Sequence, residues 1–259
     1  MKRGFFTIMA AQFFSSLADN ALFVAAVQLL RDAHAADWQQ ALLVPLFALF
    51  YVLLAPFVGA VADAWPKGQV MLVSNAIKIV GCLMMLFGGH PLMAYAIVGL
   101  GAAAYSPAKY GILTELLPAS QLVKANGWIE GLTIASIILG VVLGGQLIGP
   151  NVAPWLLSWD LPFIETSIDT PPEAAIAMLV ILYLAAAWFN NRIPPTGVVM
   201  RPLPRNPLTL LPDFWHCNRD LWRDKLGQIS LSTTTCSGVS AVTCATSCWP
   251  GQARPWGTQ

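Results

Sequence analysis

Charged side chains are scarce in this chain of 259 residues. They make up 10% of it, against about 25% in an ordinary soluble domain. So little charge does not furnish the surface of a soluble protein of this length. The formal net charge of +1, and the lack of a basic patch interleaved with aromatics, give no support to a nucleic-acid partner. Histidine is rare: His34 and His90 fall in expected loops, and His216 beside Cys217 reads as an interfacial pair rather than a nucleophile and its base. There is no Gly-x-Ser-x-Gly elbow, no phosphate-cradling glycine loop and no His-x-x-Glu-His set, so catalysis finds no support and no cofactor is implied. None of the five cysteines stands in a CxxC or zinc-finger spacing, which argues against a metal site. Three of them, Cys236, Cys244 and Cys248, crowd into the end of the chain.

What is abundant is hydrocarbon. Hydrophobic residues make up 56% of the chain, and mean hydropathy is +0.63. Crossing a bilayer takes about 20 apolar residues in a helix. Six stretches are long enough: Gly4–Leu30, Trp38–Ala62, Val70–Gly88, Leu92–Leu113, Val123–Ile148 and Pro172–Asn190. They are expected to be helices, because an isolated strand leaves its backbone polar groups unpaired in lipid. The first is too long for a signal-peptide core and contains Asp19, so it is expected to stay on the protein. Gly140, Gly144 and Gly145 allow close helix approach, although a Gly-x-x-x-Gly pair is common by chance.

Lys and Arg set the expected orientation. With the N-terminus inside, Lys2, Arg3, Lys67, Lys124, Arg192, Arg201, Arg205, Arg219, Arg223 and Lys225 are cytoplasmic. The other face keeps only Arg31, among Asp32, Asp37, Asp160, Glu165 and Asp169. After Asn190 the proline-rich text NNRIPPTGVVMRPLPRNPL reads as an extended linker. In FWHCNRDLWRDKLGQISL, apolar residues recur at helical spacing with basic residues between them. That helix has three open readings: a membrane-surface helix, the approach to a seventh crossing, or a solvated linker.

Charge at membrane depth is costly and marks a cavity or a partner. Asp19 lies midway along the first stretch, Lys78 in the third, Lys109 in the fourth and Glu130 in the fifth, with Ser15, Ser16, Asn20, Asn75 and Asn126 adding polar groups. Their repetition predicts a polar passage between helices; structural ion pairs are the competing reading. Lys109 has three available counter-charges: Asp19, Glu130 or an anionic headgroup.

The segment GAVADAWPKGQV is similar to the loop signature of the major facilitator superfamily, with Gly59, Asp63 and Lys67 matching while Ala64 and Pro66 depart. The blocks AQFFSSLADNAL, APFVGAVADAWPKGQVMLVSNAIK, GAAAYSPAKYGIL and LVKANGWIEGLTIA resemble one branch of it, the lysophospholipid transporters of bacterial inner membranes. The resemblance implies an all-α membrane protein. It would be a non-enzymatic flippase, without cofactor or metal, that carries lysophosphatidylethanolamine and lysophosphatidylglycerol to the inner leaflet. There an acyltransferase/acyl-ACP synthetase restores the missing chain. On that footing Asp19 and Lys109 are expected to meet the amine and phosphate of the headgroup, with Asn20 and Glu130 in support. Gly59, Asp63 and Lys67 are expected to form a gating contact.

A facilitator has twelve crossings in two halves, and six are found here. The chain is therefore expected to be the N-terminal six-helix half of that fold: residues 1–190 as the bundle, 191–225 as a cytoplasmic linker and 226–235 as the start of a seventh helix. From Cys236 the text turns rich in Cys, Ser and Thr. Suitable codons for Cys236 to Pro250, with one base restored ahead of them, spell LFWGVSGNLRYIVLA. Residues 236–259 are thus expected to be an out-of-frame tail, and the product weakly active or inactive. Two other functions compete: an exporter of drugs or other small amphiphiles, and a membrane scaffold that docks the acyltransferase through Arg192–Lys225.

Overall fold

Apolar runs interrupted by short polar turns form helices throughout the computed structural model, which describes residues 3–158, 170–194, 196–204 and 206–247. Asp160, Glu165 and Asp169, three of the acidic residues used for orientation, lie outside the described residues, as do Lys2, Arg205 and the tail from position 248. The contacts divide the chain into two units, Met1–Arg205 and Asn206–Gln259.

The first unit holds α1 (Arg3–Asp32), α2 (Asp37–Leu53), α3 (Ala55–Ala64), α4 (Lys67–Leu86), α5 (Pro91–Leu116), α6 (Ala119–Ile148), α7 (Ala153–Leu157) and α8 (Pro171–Asn191). No strand occurs among the described residues. Among the described residues five helices are long and apolar enough to cross a membrane, and six spans result if α2 and α3 count as one. The expected second crossing, Trp38–Ala62, is in fact broken: α2 and α3 meet at Leu54 with a bend of 62°. Pro56 is the cause. It lacks an N–H and its ring crowds the carbonyl one turn earlier, so α2 ends and Pro56 sits in the first turn of α3. Most of the other helices overrun the expected stretches by up to a turn, because a helix continues past its last apolar residue into the headgroup layer.

Small residues set the spacing. A Cβ on Gly140 would stand 2.7 Å from the Leu17 carbonyl, and one on Gly144 2.8 Å from that of Ala21. The Gly-x-x-x-Gly pair therefore docks α6 directly on the α1 backbone. Gly101 does the same service for α4, since a Cβ there would lie 2.8 Å from Lys78 Cγ. The core joins Ile8, Ala62, Val70, Met71, Tyr105, Ala108 and Ile112. The outer face of α6 carries exposed Ile134, Ile137, Ile138, Leu139, Val141 and Val142, a surface suited to lipid or another apolar face.

The linker departs from a free, solvated segment. Ile193 packs against the core cluster, the Thr196 hydroxyl donates to Glu115 Oε2 at 2.6 Å, and the Arg201 N–H donates to the Asp63 carbonyl at 3.1 Å. Gly197, at φ +70°, turns this strap.

The second unit begins with a 3-10 turn (Pro207–Thr209), followed by α9 (Leu210–Arg223) and α10 (Lys225–Ser247). The helix expected to begin at 226 runs unbroken past the boundary expected at Cys236. Its hydroxyls fit helical backbone, because Thr233, Thr234 and Thr235 each donate to the carbonyl four residues back at 2.7–2.8 Å. It is not among the spans long and apolar enough to cross.

Candidate functional site

Two helices turn the same kind of stripe inward. Gln12, Ser15, Ser16 and Asp19 on α1, and Ala102, Tyr105, Ser106 and Lys109 on α5, are each spaced i, i+3, i+4, i+7. That spacing puts four side chains on one helix face. With Lys78 of α4, Tyr51 of α2 and Thr133 of α6 they line a cavity of about 130 Å³.

At its wall Lys78 Nζ donates to Asp19 Oδ2 at 2.7 Å and to Ser15 Oγ at 3.0 Å. Tyr183 of α8 donates to the other oxygen, Asp19 Oδ1, at 2.6 Å. Ser15 in turn donates to Asn75 Oδ1 at 2.8 Å. Tyr105 and Tyr183 bring their rings within 5.2 and 5.7 Å of the ammonium. Lys78 is 1% exposed, so its charge exists there only because Asp19 balances it. Gly101 gives the Lys78 stem room to pass.

Lys109 is different. It is 7% exposed and lines the same cavity, yet Nζ makes no hydrogen bond or ion pair among the described residues. Its ammonium lies over the face of Tyr110, 4.4 Å from the ring centroid. Neither Asp19 nor Glu130 comes within ion-pair distance of Lys109, although both carboxylates act on it electrostatically, Glu130 the more strongly; Lys78 and Tyr183 occupy Asp19, and the Tyr110 hydroxyl donates to Glu130 Oε1 at 2.6 Å. The charges of Asp19, Lys78 and Lys109 leave a surplus of one positive charge at the cavity. An anion entering it would meet a cation already stripped of water.

The structure brings Asp19 and Lys109 together but not Asn20 and Glu130. Asn20 lies one residue, about 100° of helix, round from Asp19. It donates back to the Ser16 carbonyl at 2.8 Å and packs toward Gly140. Glu130 is exposed and absent from the cavity lining. Asn20 stands out by its adjacency to Asp19 in sequence, and Glu130 by its charge within an apolar stretch; neither criterion reads the helix face. Both also miss Tyr183 and Gln12. The i, i+3, i+4, i+7 stripe would have found Gln12, whereas no local signal marks Tyr183, which arrives from a distant helix.

A second charged cluster stands at the helix ends. Lys67, at the start of α4, pairs with Asp63 at 3.4 Å and with Glu115 at the end of α5. Of the three signature residues, Asp63 and Lys67 thus meet, while Gly59 has open space around its Cα. Glu115 and Thr196 complete the cluster, and neither stood out in the sequence. These groups line a cavity of about 640 Å³ that Ile193, Pro194 and residues 196–201 also line.

Residues 8–247 match the family model described as Major Facilitator Superfamily. The chain belongs to this superfamily. As a facilitator it is a multi-pass membrane protein with a partial fold that matches the N-terminal half. Relatives include proteins named lysophospholipid transporter LplT from Yersinia enterocolitica serotype O:8, Yersinia pestis (strain Pestoides F) and Yersinia pseudotuberculosis serotype O:3. Each is 39% identical over 243 residues, covering 94% of this chain and 55% of the relative. The chain spans about half the length of the curated relatives it matches.

Proposed function

We propose that this facilitator half takes part in moving lysophospholipids, lysophosphatidylethanolamine and lysophosphatidylglycerol among them, to the inner leaflet of a bacterial inner membrane. The single acyl chain stays in lipid while the head crosses the polar cavity. Transfer of the head through hydrocarbon is slow unaided, because an ionised phosphate is costly to desolvate. One observation carries the reading: Lys109 is a buried lysine on the cavity wall with no ion pair or hydrogen bond among the described residues. A phosphate supplies the partner. The Asp19–Lys78 pair stays closed for either headgroup, and an ethanolamine ammonium meets the part of the Asp19 carboxylate that lines the cavity. Similarity to the lysophospholipid transporters supports the choice of cargo.

In this reading the protein is not an enzyme. Its N-terminus is cytoplasmic, which the clustering of Lys and Arg supports. Reacylation falls to an acyltransferase/acyl-ACP synthetase. Asp63 and Lys67 belong to a gate rather than to the headgroup site. Residues 1–190 supply half of a two-half transporter, and the text from Cys236 belongs to a shifted frame; sequencing the gene across the Thr235 codon tests that last point.

The functional test is uptake of labelled lysophospholipid into spheroplasts, with the chain expressed alone and joined to the second half of a relative. Asp19→Ala and Lys109→Ala are expected to abolish most uptake in whichever form transports. Uptake at the unsubstituted level in both variants overturns the site.

A further inference from the structure

Helix α9 is the most amphipathic element of the chain, and none of its residues is buried. At 100° per residue Leu210, Leu211, Phe214, Trp215, Leu221 and Trp222 fall within an arc of about 140°. Trp215 is 70% exposed and Trp222 59%. The charges are sorted as well. Trp215, Arg219, Trp222 and Arg223 follow one another at i, i+4, i+7, i+8 along one edge of the stripe, while Asp213 and Asp220 lie toward the other edge.

We propose that α9 is an interfacial helix lying on the bilayer surface, on the side where α8 ends. Its apolar stripe sits among the upper acyl chains and its basic edge against lipid phosphates. A crossing is excluded by length: 14 residues make about 21 Å of helix, short of the roughly 30 Å hydrocarbon core. The sequence between Asn191 and Leu210 is too short and too rich in proline and polar residues to cross the bilayer, which keeps α9 on the membrane side where α8 ends. Indole rings favour the headgroup boundary, where their faces are apolar and their N–H stays wet. Arginines beside them complement phosphate with a fork of donors, and the carboxylates are left on the side turned to water. Asn218, a single amide within the stripe, suits the shallow depth of an interface and not the hydrocarbon centre. This inference does not depend on the cargo proposed above, only on the bilayer that the spans require.

The test uses the full chain in nanodiscs containing phosphatidylglycerol, with its native cysteines replaced by serine. A nitroxide is attached through Trp215→Cys, Trp222→Cys, His216→Cys or Asp220→Cys, one at a time. Collisions with oxygen, which concentrates in lipid, are expected to dominate at positions 215 and 222. Collisions with a water-soluble nickel chelate are expected to dominate at 216 and 220. Equal chelate access at all four positions, as on a solvated linker helix, overturns the proposal. So does exclusion of both reagents from 215 and 222, which would mean that protein covers the stripe, whether a second copy or another polypeptide. Replacing Arg219 and Arg223 together by glutamine is expected to raise chelate access at position 215; unchanged access overturns the part given to the basic edge.

Discussion

Lys78 and Lys67 are both lysines of α4, both held by carboxylates, and they do opposite things. Lys78 is sealed in the bundle, its partner Asp19 fixed a second time by Tyr183. Lys67 stands at the helix end between Asp63, whose side chain is 55% exposed, and Glu115, with a strap of linker over them. Water makes the difference. In the bundle an unpaired charge has no solvent to fall back on, so the pair is obligatory. At the helix end water reaches the Asp63 carboxylate, whereas Glu115 is as sheltered as Asp19, so only the Asp63 contact is exchangeable with solvent.

The sharpest way to break this contrast is to remove one partner of the inner pair. Lys78→Met leaves Asp19, its side chain only 18% exposed, without its cation. It is expected to lower unfolding free energy in detergent by about 3–5 kcal/mol. Lys78→Met with Asp19→Asn should recover most of that loss, because no unbalanced charge remains. Equal losses in the single and double variants would deny the coupling.

The next largest effect is steric. Gly101→Val drives a side chain into the Lys78 stem and the Ser74 carbonyl. It is expected to cost about 1–3 kcal/mol, as overpacking does. Gly59→Ala, with open space around it, should leave the melting temperature unchanged. Similar losses at both glycines would contradict the packing described.

The smallest stability effect belongs to the helix ends. Thr196→Val removes one hydrogen bond to a carboxylate and is expected to cost about 1.5 kcal/mol or less. The more telling readout is hydrogen exchange. The Arg201 amide, tied to the Asp63 carbonyl, should lose protection while α4 and α5 keep theirs. Retained protection at Arg201 would mean that the strap does not depend on Glu115.

Much of this architecture is legible in the sequence. Apolar length finds the spans, since lipid allows few alternatives to a helix. The break at Leu54 is written in Pro56, but the length criterion ignores it. The site is half legible. Asp19 and Lys109 stand out because charge in an apolar run is rare. Their partners do not: the Lys78–Asp19 and Tyr183–Asp19 contacts join helices far apart in sequence, and the choice of Lys78 over Lys109 turns on the clearance at Gly101. Asn20 shows the opposite error, an amide next to the site in sequence and on a different face in space. Thr196 reads as linker because nothing local announces that a proline-rich strap folds back onto Glu115.

The central claim is that Lys109 is a buried cation waiting for an anionic headgroup. It is tested most directly by binding to the purified chain in nanodiscs, comparing lysophosphatidylglycerol with an uncharged monoacylglycerol of the same chain length. The account predicts that the unsubstituted protein favours the phosphate-bearing lipid and that Lys109→Gln loses this preference without a fall in melting temperature, since Lys109 has no ion pair to break. An unchanged preference in Lys109→Gln would contradict it.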